Sequence, residues 1–344
     1  MDYLQSILKI GKVSIDLKGS SATFKISAKK ELLVVLAIFG HFHLNTTKHL
    51  DFLSFAKAYE LYSQSSKHSQ RAEIQPLIET IGNSRNKQRT DWVMPLNHSY
   101  KVTSYWLLGF IEGDGSFYIT SRDNLLAFSI TQKGNKELLH AIKDFMINLV
   151  KDPQHKHLYE SAIKIYSKNR EITILRLYNP DFIEFVFIPF LDGLVWQSKK
   201  YLDYRDWKVL LEIFKRGLHY TFEGEALINR VRNQMNNQRL SSSKIPCEDR
   251  SVLLADITEI LKQPSNYEYR EDKIFVKSTQ KFISNNKAIS VLLMDSSSDK
   301  EIQSFSSYSS CGKFLGLHHY TVSLKANSGA QFTFQGTGVY LKKI

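Results

Sequence analysis

An acid that follows a pair of glycines spaced four apart is the most chemically suggestive feature of the chain. In Trp106-Leu107-Leu108-Gly109-Phe110-Ile111-Glu112-Gly113-Asp114-Gly115-Ser116-Phe117 the apolar spacing predicts a helix, yet Gly109 and Gly113 lie inside it. Each such glycine costs up to about 1 kcal/mol relative to alanine, so the pair needs a compensating gain. A second helix packed more closely than the usual ~8–10 Å between axes would supply one. Such packing delivers Asp114 to the helix end, where a carboxylate suits a hard, oxygen-seeking cation such as Mg²⁺. The plainer reading is a helix C-cap, with Gly115 left-handed and Asp114 in solvent. These residues alone leave both readings open.

The elements around the acid change period. Phe117 and Ile119 interleave with Ser116, Tyr118, Thr120 and Arg122, and Leu126, Phe128 and Ile130 interleave with Ala127, Ser129 and Thr131. Near the start, Val13, Ile15 and Leu17 interleave with Lys12, Ser14, Asp16 and Lys18. Alternation of period two predicts strands with one buried face and one wet face. Here the wet face carries hydroxyls, Lys and Arg. The chain also repeats itself. Leu44-Asn45-Thr46-Thr47-Lys48-His49-Leu50-Asp51-Phe52 recurs, 152 residues on, as Trp196-Gln197-Ser198-Lys199-Lys200-Tyr201-Leu202-Asp203-Tyr204. The stretch from Phe24 to Phe39 matches that from Leu175 to Phe190 at an offset of 151. Two related units sharing one fold are expected.

Composition narrows the partners. The chain has 344 residues, with 46 Lys and Arg against 34 Asp and Glu, a net charge of +12. Its pI is about 9.4. That balance favours an acidic partner such as nucleic acid. Hydrophobic residues at 42% exclude wholesale disorder. Cys247 and Cys311 are too few for a disulfide framework or a cysteine zinc site. The most apolar run, Leu32 to Gly40, is far short of the ~20 residues that span a bilayer, so no membrane partner is expected.

Residues 107–115 resemble the LAGLIDADG motif position by position, and the resemblance to that homing-endonuclease and group I intron maturase family extends over roughly residues 1–240. It implies an α+β fold of tandem αββαββα repeats, with saddle-shaped antiparallel sheets laid in the DNA major groove. The domains expected are a partial first repeat at 1–63 that lacks its motif helix, a linker at 64–101 with some helix near Ala72–Ile81, a second repeat at 102–240, and a C-terminal region at 241–344. Within that last region, strand-like runs lie at Lys273–Lys277, Ile289–Leu293 and Val339–Leu341, and residues from about 300 to 344 resemble the helix-turn-helix modules appended to intron-encoded nucleases.

The same resemblance implies roles for residues. Asp114 and the Gly113 carbonyl would hold the divalent ion, Gly109 and Gly113 would form a helix interface, and Glu112 would support the helix rather than bind metal. Gln132, Lys136 and Lys200, the last with its repeat partner Lys48, would surround the scissile phosphate. The wet strand faces would bind DNA through Lys12, Ser14, Lys18, Lys25, Ser116, Tyr118, Thr120, Arg122, Ser129, Thr131, Lys133, Lys164, Tyr166 and Arg176. The expected function is an intron-encoded, Mg²⁺-dependent double-stranded DNA endonuclease. The alternatives are a maturase that binds group I intron RNA, and an inactive remnant. Richness in Phe, Tyr, Asn, Ile and Lys fits an AT-biased mitochondrial genome, and a monomer is expected once the first motif is supplied.

Overall fold

A computed structural model describes residues 1–16, 21–65, 68–120, 125–151, 156–168, 172–236, 248–270, 273–283, 289–305, 307–317 and 319–343. By their contacts the residues group into two compact units. One comprises 1–107, 131–142 and 165–174; the other comprises 108–130, 143–164 and 175–344. No helix among the described residues is long and apolar enough to cross a membrane.

The chain opens with α1 (Asp2–Leu8), β1 (Lys12–Asp16), β2 (Ser21–Lys25), α2 (Lys29–His41), α3 (Lys48–Gln64) and α4 (His68–Asn83). In the β1–β2 ladder Val13 faces Phe24 and Ile15 faces Ala22, while Lys12 faces Lys25 and Ser14 faces Thr23. Opposed residues share a sheet face, so the pairing sorts apolar from polar side chains as the alternation predicts. The segment expected to be a linker with some helix near Ala72–Ile81 holds a longer helix than that. It contains all of α4, a 16-residue helix with Pro76 inside. The chain beyond it is pinned to α3, because Arg89 donates to Asp51 Oδ1, to the Leu50 carbonyl and to Ser54 Oγ. Further on, the Asn45 side chain brackets Lys101, donating to its carbonyl and accepting from its N–H, each at 2.9 Å.

The motif stretch is α5 (Ser104–Asp114), which passes directly into β3 (Gly115–Ile119). There follow β4 (Leu126–Lys133), α6 (Lys136–Asn148), α7 (Lys156–Tyr159), β5 (Ile163–Ser167) and β6 (Ile172–Leu177). The four strands form a sheet in the order β3-β4-β6-β5. Then come α8 (Pro180–Phe182), a π-helical turn at Ile183–Phe187, α9 (Ile188–Asp192), α10 (Lys200–Lys215), a 3₁₀ turn at Leu218–Tyr220 and α11 (Phe222–Arg232). Phe117 of β3 lies at the centre of an aromatic core, its ring 5.0 Å from Phe128, 5.3 Å from Trp207 and 5.6 Å from Tyr204. Burial of rings this large dominates the stability of the second repeat.

The C-terminal region starts with α12 (Arg250–Lys262) and a three-stranded sheet of β7 (Tyr267–Arg270), β8 (Lys273–Val276) and β9 (Lys281–Phe282). It is fastened to the second repeat by Arg250, which pairs with the buried Asp206, and by Asn266, which donates to the Arg216 and Gly217 carbonyls. The last part comprises β10 (Val291–Asp295), β11 (Glu301–Phe305), α13 (Tyr308–Leu315), α14 (His319–Ser328), β12 (Phe332–Phe334) and β13 (Thr337–Lys343). The two expected short helices are present, joined at Gly316 in the left-handed conformation (φ 67°). They do not stand alone as a helix-turn-helix. A sheet of order β11-β10-β13-β12 shares their core through Val291, Leu293, Cys311, Val322 and Leu341.

Candidate active site and nucleic-acid interface

Leu107, Leu108 and Ile111 of α5 are buried, whereas Gly109, Gly113 and Asp114 are exposed. A Cβ built on Gly109 or Gly113 meets nothing within 4 Å. The close helix packing expected at these glycines is therefore absent among the described residues, and the two leave a smooth open strip. Gly115 answers to a different constraint. Its φ is not left-handed, which removes the C-cap reading. A Cβ there would lie 2.6 Å from the Ile111 carbonyl oxygen, so glycine is what allows the chain to pass from helix to strand without a loop.

That turn leaves Asp114 at the carbonyl end of α5, where the helix dipole is negative and favours a cation. Among the described residues no three His, Cys, Asp or Glu side chains converge as a metal cage. The donor set of one exposed carboxylate and the Gly113 carbonyl still fits Mg²⁺, which takes few protein ligands and completes its shell with water and phosphate oxygens. Glu112 is already engaged. Its Oε1 accepts the backbone N–H groups of Gln197 at 2.8 Å and Ser198 at 2.6 Å, joining the last turn of α5 to the approach to α10. The supporting role expected of it agrees with this geometry.

Lys200 is the first residue of α10, with Nζ 3.6 Å from Asp203 Oδ2. Asp203 is 3% exposed and accepts the Asn236 N–H at 3.1 Å. The Asn236 amide in turn donates to the Phe117 carbonyl at 2.8 Å. In the other repeat, Asp51 accepts the Asn86 N–H at 3.0 Å and pairs with Lys48 and Arg89, each at 3.2 Å. Partial burial acts to raise the Asp51 pKa, but the Asn86 amide, Arg89 and Lys48 together hold it below the usual carboxylate range. Sequence reasoning paired the lysines and passed over the aspartates and asparagines, although Asp51 and Asp203 stand in the aligned repeat segments.

The remaining candidates divide between the units. Lys12, Ser14, Lys25, Thr131, Gln132, Lys133, Lys136 and Tyr166 belong to the first. Of these, Gln132 is half-buried and the others are exposed. Gly109, Gly113, Asp114, Ser116, Tyr118, Thr120, Ser129, Lys164, Arg176 and Lys200 belong to the second. There Ser116 faces Ser129 across the β3–β4 ladder, and Lys164 Nζ lies 5.3 Å from the Tyr178 ring. Lys18 and Arg122 lie outside the described residues.

The family model described as LAGLIDADG endonuclease matches residues 1–59 and 107–211. An uncharacterized mitochondrial protein of Saccharomyces cerevisiae, RF1, is 34% identical over 155 residues, which are 42% of this chain and 33% of that one. The probable intron-encoded endonuclease Cox1-I1b of Schizosaccharomyces pombe is 26% identical over 56% of this chain and 51% of its own. The chain thus spans between a third and about half of the length of these curated relatives. Among solved structures, the meganuclease I-SmaMI bound to uncleaveable DNA superposes with a TM-score of 0.56 at 23% identity, covering 69% of this chain and 82% of that one. The LAGLIDADG homing endonuclease I-GzeII in complex with its DNA target gives 0.56 at 21%, covering 70% and 84%. These matches agree with the helix that ends in Asp114, the strands beyond it and the duplicated helices α3 and α10, and residues 1–59 and 107–211 are similar to the LAGLIDADG endonuclease family.

Proposed function

We propose that the protein is a site-specific, divalent-cation-dependent endonuclease of double-stranded DNA that acts in intron homing in mitochondria. The observation that carries this reading is Asp114, exposed at the end of the motif helix and continuous with β3, one face of which carries the half-buried Ser116 and Tyr118. Hydroxyl, lysine and arginine side chains on such strands are suited to base edges and phosphates in the major groove. The mitochondrial setting and the intron origin are supported by the names of the relatives.

Asp114 and the Gly113 carbonyl would hold Mg²⁺. Bound there, the ion would draw charge from the scissile phosphate and stabilise the departing oxygen. The chain's own part is positioning and charge compensation, which is most of what phosphoryl chemistry asks of a protein. Lys200 would supply a cation and Glu112 holds the helix end that presents the acid, while Gln132 and Lys136, in the other unit, are candidate donors to phosphate and water.

The test uses mitochondrial DNA fragments incubated with the full chain in Mg²⁺, with the ends mapped, and binding measured separately in Ca²⁺. Asp114→Asn is expected to remove cleavage and leave binding within a few-fold of wild type. Cleavage by Asp114→Asn at the wild-type rate, or DNA that the wild type binds but never cuts, would overturn the reading.

A further inference from the structure

Lys48 and Lys200 hold the same place in the two repeats, each followed three residues later by an aspartate. In one copy Lys48 Nζ lies 3.2 Å from Asp51 Oδ2, and Asp51 Oδ1 accepts the Asn86 N–H. In the other, Lys200 Nζ lies 3.6 Å from Asp203 Oδ2, and Asp203 Oδ1 accepts the Asn236 N–H. Both asparagines are left-handed, with φ 55° and 56°, a region that asparagine tolerates better than most residues. The helices leading to them, α4 and α11, have 16 and 11 residues. Lysine, aspartate and left-handed asparagine therefore recur as a set although the chain between them has diverged.

The copies differ in what the asparagine side chain does. Asn86 Oδ1 accepts from Lys48 Nζ at 2.9 Å. Asn236 instead donates to the Phe117 carbonyl in β3, three residues beyond Asp114. Building on the endonuclease reading above, we infer that Asp203 is a positioning residue for phosphodiester cleavage: its carboxylate orients Lys200 and, through Asn236, steadies β3 at the exit of the motif helix. Asp51 orients Lys48 in the same way. A lysine side chain free in solvent has many rotamers to give up, and Lys200 is held before DNA arrives rather than at the moment of binding. At 3.6 Å the pair is loose, and an ammonium has three donors, so Lys200 keeps hydrogen-bonding capacity for a phosphate. An acid in the first turn of a helix also stabilises the helix by itself. That role needs no lysine partner, whereas both copies have one.

The experiment measures competitive amine labelling of the full chain, resolved by mass spectrometry, so that its first arm is independent of cleavage. Asp203→Asn is expected to raise the labelling rate of Lys200 roughly threefold, as loss of a modest ion pair should, with Lys199 and Lys208 unchanged. Asp51→Asn should do the same for Lys48, and at this more exposed aspartate folding is less at stake. Asn236→Gly keeps the backbone N–H and the positive φ. It should leave Lys200 labelling unchanged while speeding amide exchange in β3. The second arm follows each strand of an end-labelled target. Asp203→Asn is expected to slow the nicking of one strand at least tenfold with unchanged DNA affinity. Unchanged Lys200 labelling in a folded Asp203→Asn chain, or equal slowing of both strands with faster labelling of every lysine, overturns the inference. A Lys200→Met chain that nicks both strands at the wild-type rate overturns instead the catalytic reading of Lys200 on which it rests.

Discussion

At the scale of single residues, three glycines of one motif obey different physics. Gly109 and Gly113 face open space, so nothing in the described chain repays the entropy they cost. Gly115 is held by backbone, because the Ile111 carbonyl oxygen occupies the space a methyl would need. Gly109→Ala is therefore expected to stabilise the isolated chain by up to about 1 kcal/mol, the helix-propensity difference. Gly115→Ala is expected to destabilise it by about 1–3 kcal/mol, since a backbone neighbour cannot rotate away as a side chain would. Urea midpoints of the two variants against wild type check both signs. A Gly115→Ala chain as stable as wild type would mean that the turn from α5 into β3 is not as tight as described.

At the scale of elements, His219 shows how a turn is tied to its surroundings. The 3₁₀ turn after α10 places its ring 4.9 Å from Phe214 and 4.1 Å from Tyr220. Burial pushes its pKa down to about 4, opposed only by a backbone hydrogen bond at Ile213. The folded state thus prefers neutral histidine. The stability this gives is whole above the unfolded pKa of about 6.5 and is lost as pH falls from there towards 4, with no further loss from this group below. His219→Phe should flatten that part of the profile, which urea midpoints at about pH 7.5 and pH 4.5 would show. An unaltered acid loss would assign the effect to other groups, such as the His49 and His98 rings, whose pKa values burial also lowers.

The same scale shows what the sequence could reveal. The strands β1, β3 and β4 and the helices α3 and α10 were legible, because their apolar spacing is regular and the repeat confirms it. The helix α4 was legible only in part, as some helix near Ala72–Ile81. Ile74, Ile78 and Ile81 form a thin stripe in a polar run broken by Pro76, and the stripe is only half-buried. The Asp203–Asn236 link was hidden for a related reason. Its partners lie 33 residues apart, and the segment between them differs in length from its counterpart in the other repeat. In the C-terminal sheet the strand-like runs at Ile289–Leu293 and Val339–Leu341 were legible, whereas β11 is mostly exposed and β12 has three residues, too short for periodicity to register.

For the whole molecule, burial is unevenly spread. No residue of α1 or α2 is buried, and Tyr3, Ile7, Ile15, Leu33 and Phe42 are each more than half exposed. Equivalent repeat positions make the contrast direct: Phe24 and Phe55 are half-buried, whereas their counterparts Leu175 and Trp207 are fully buried. Regions with few buried apolar contacts open at lower free energy. Amide exchange should therefore be faster in α1, β1, β2 and α2 than in β3, β4 and α10, and equal protection would contradict this distribution.

The net charge of +12 bears on how the whole molecule meets its partner. Charge of this size attracts any polyanion, so affinity alone cannot tell groove binding from loose adhesion. Salt dependence can. Each phosphate neutralised on B-DNA contributes about −0.9 to the slope of log affinity against log salt concentration. If the wet strand faces are the interface, reversing the charge of Lys12, Lys25, Lys164 or Arg176 should make that slope shallower by about 0.9 for each phosphate no longer neutralised. Lys262 on α12, paired with Glu259 at 2.8 Å, serves as the control, and its reversal should leave the slope unaltered. The result to look for is a difference between positions that carry the same charge. If Lys262→Glu changed the slope as much as Lys12→Glu, net charge rather than a strand-borne groove surface would account for binding.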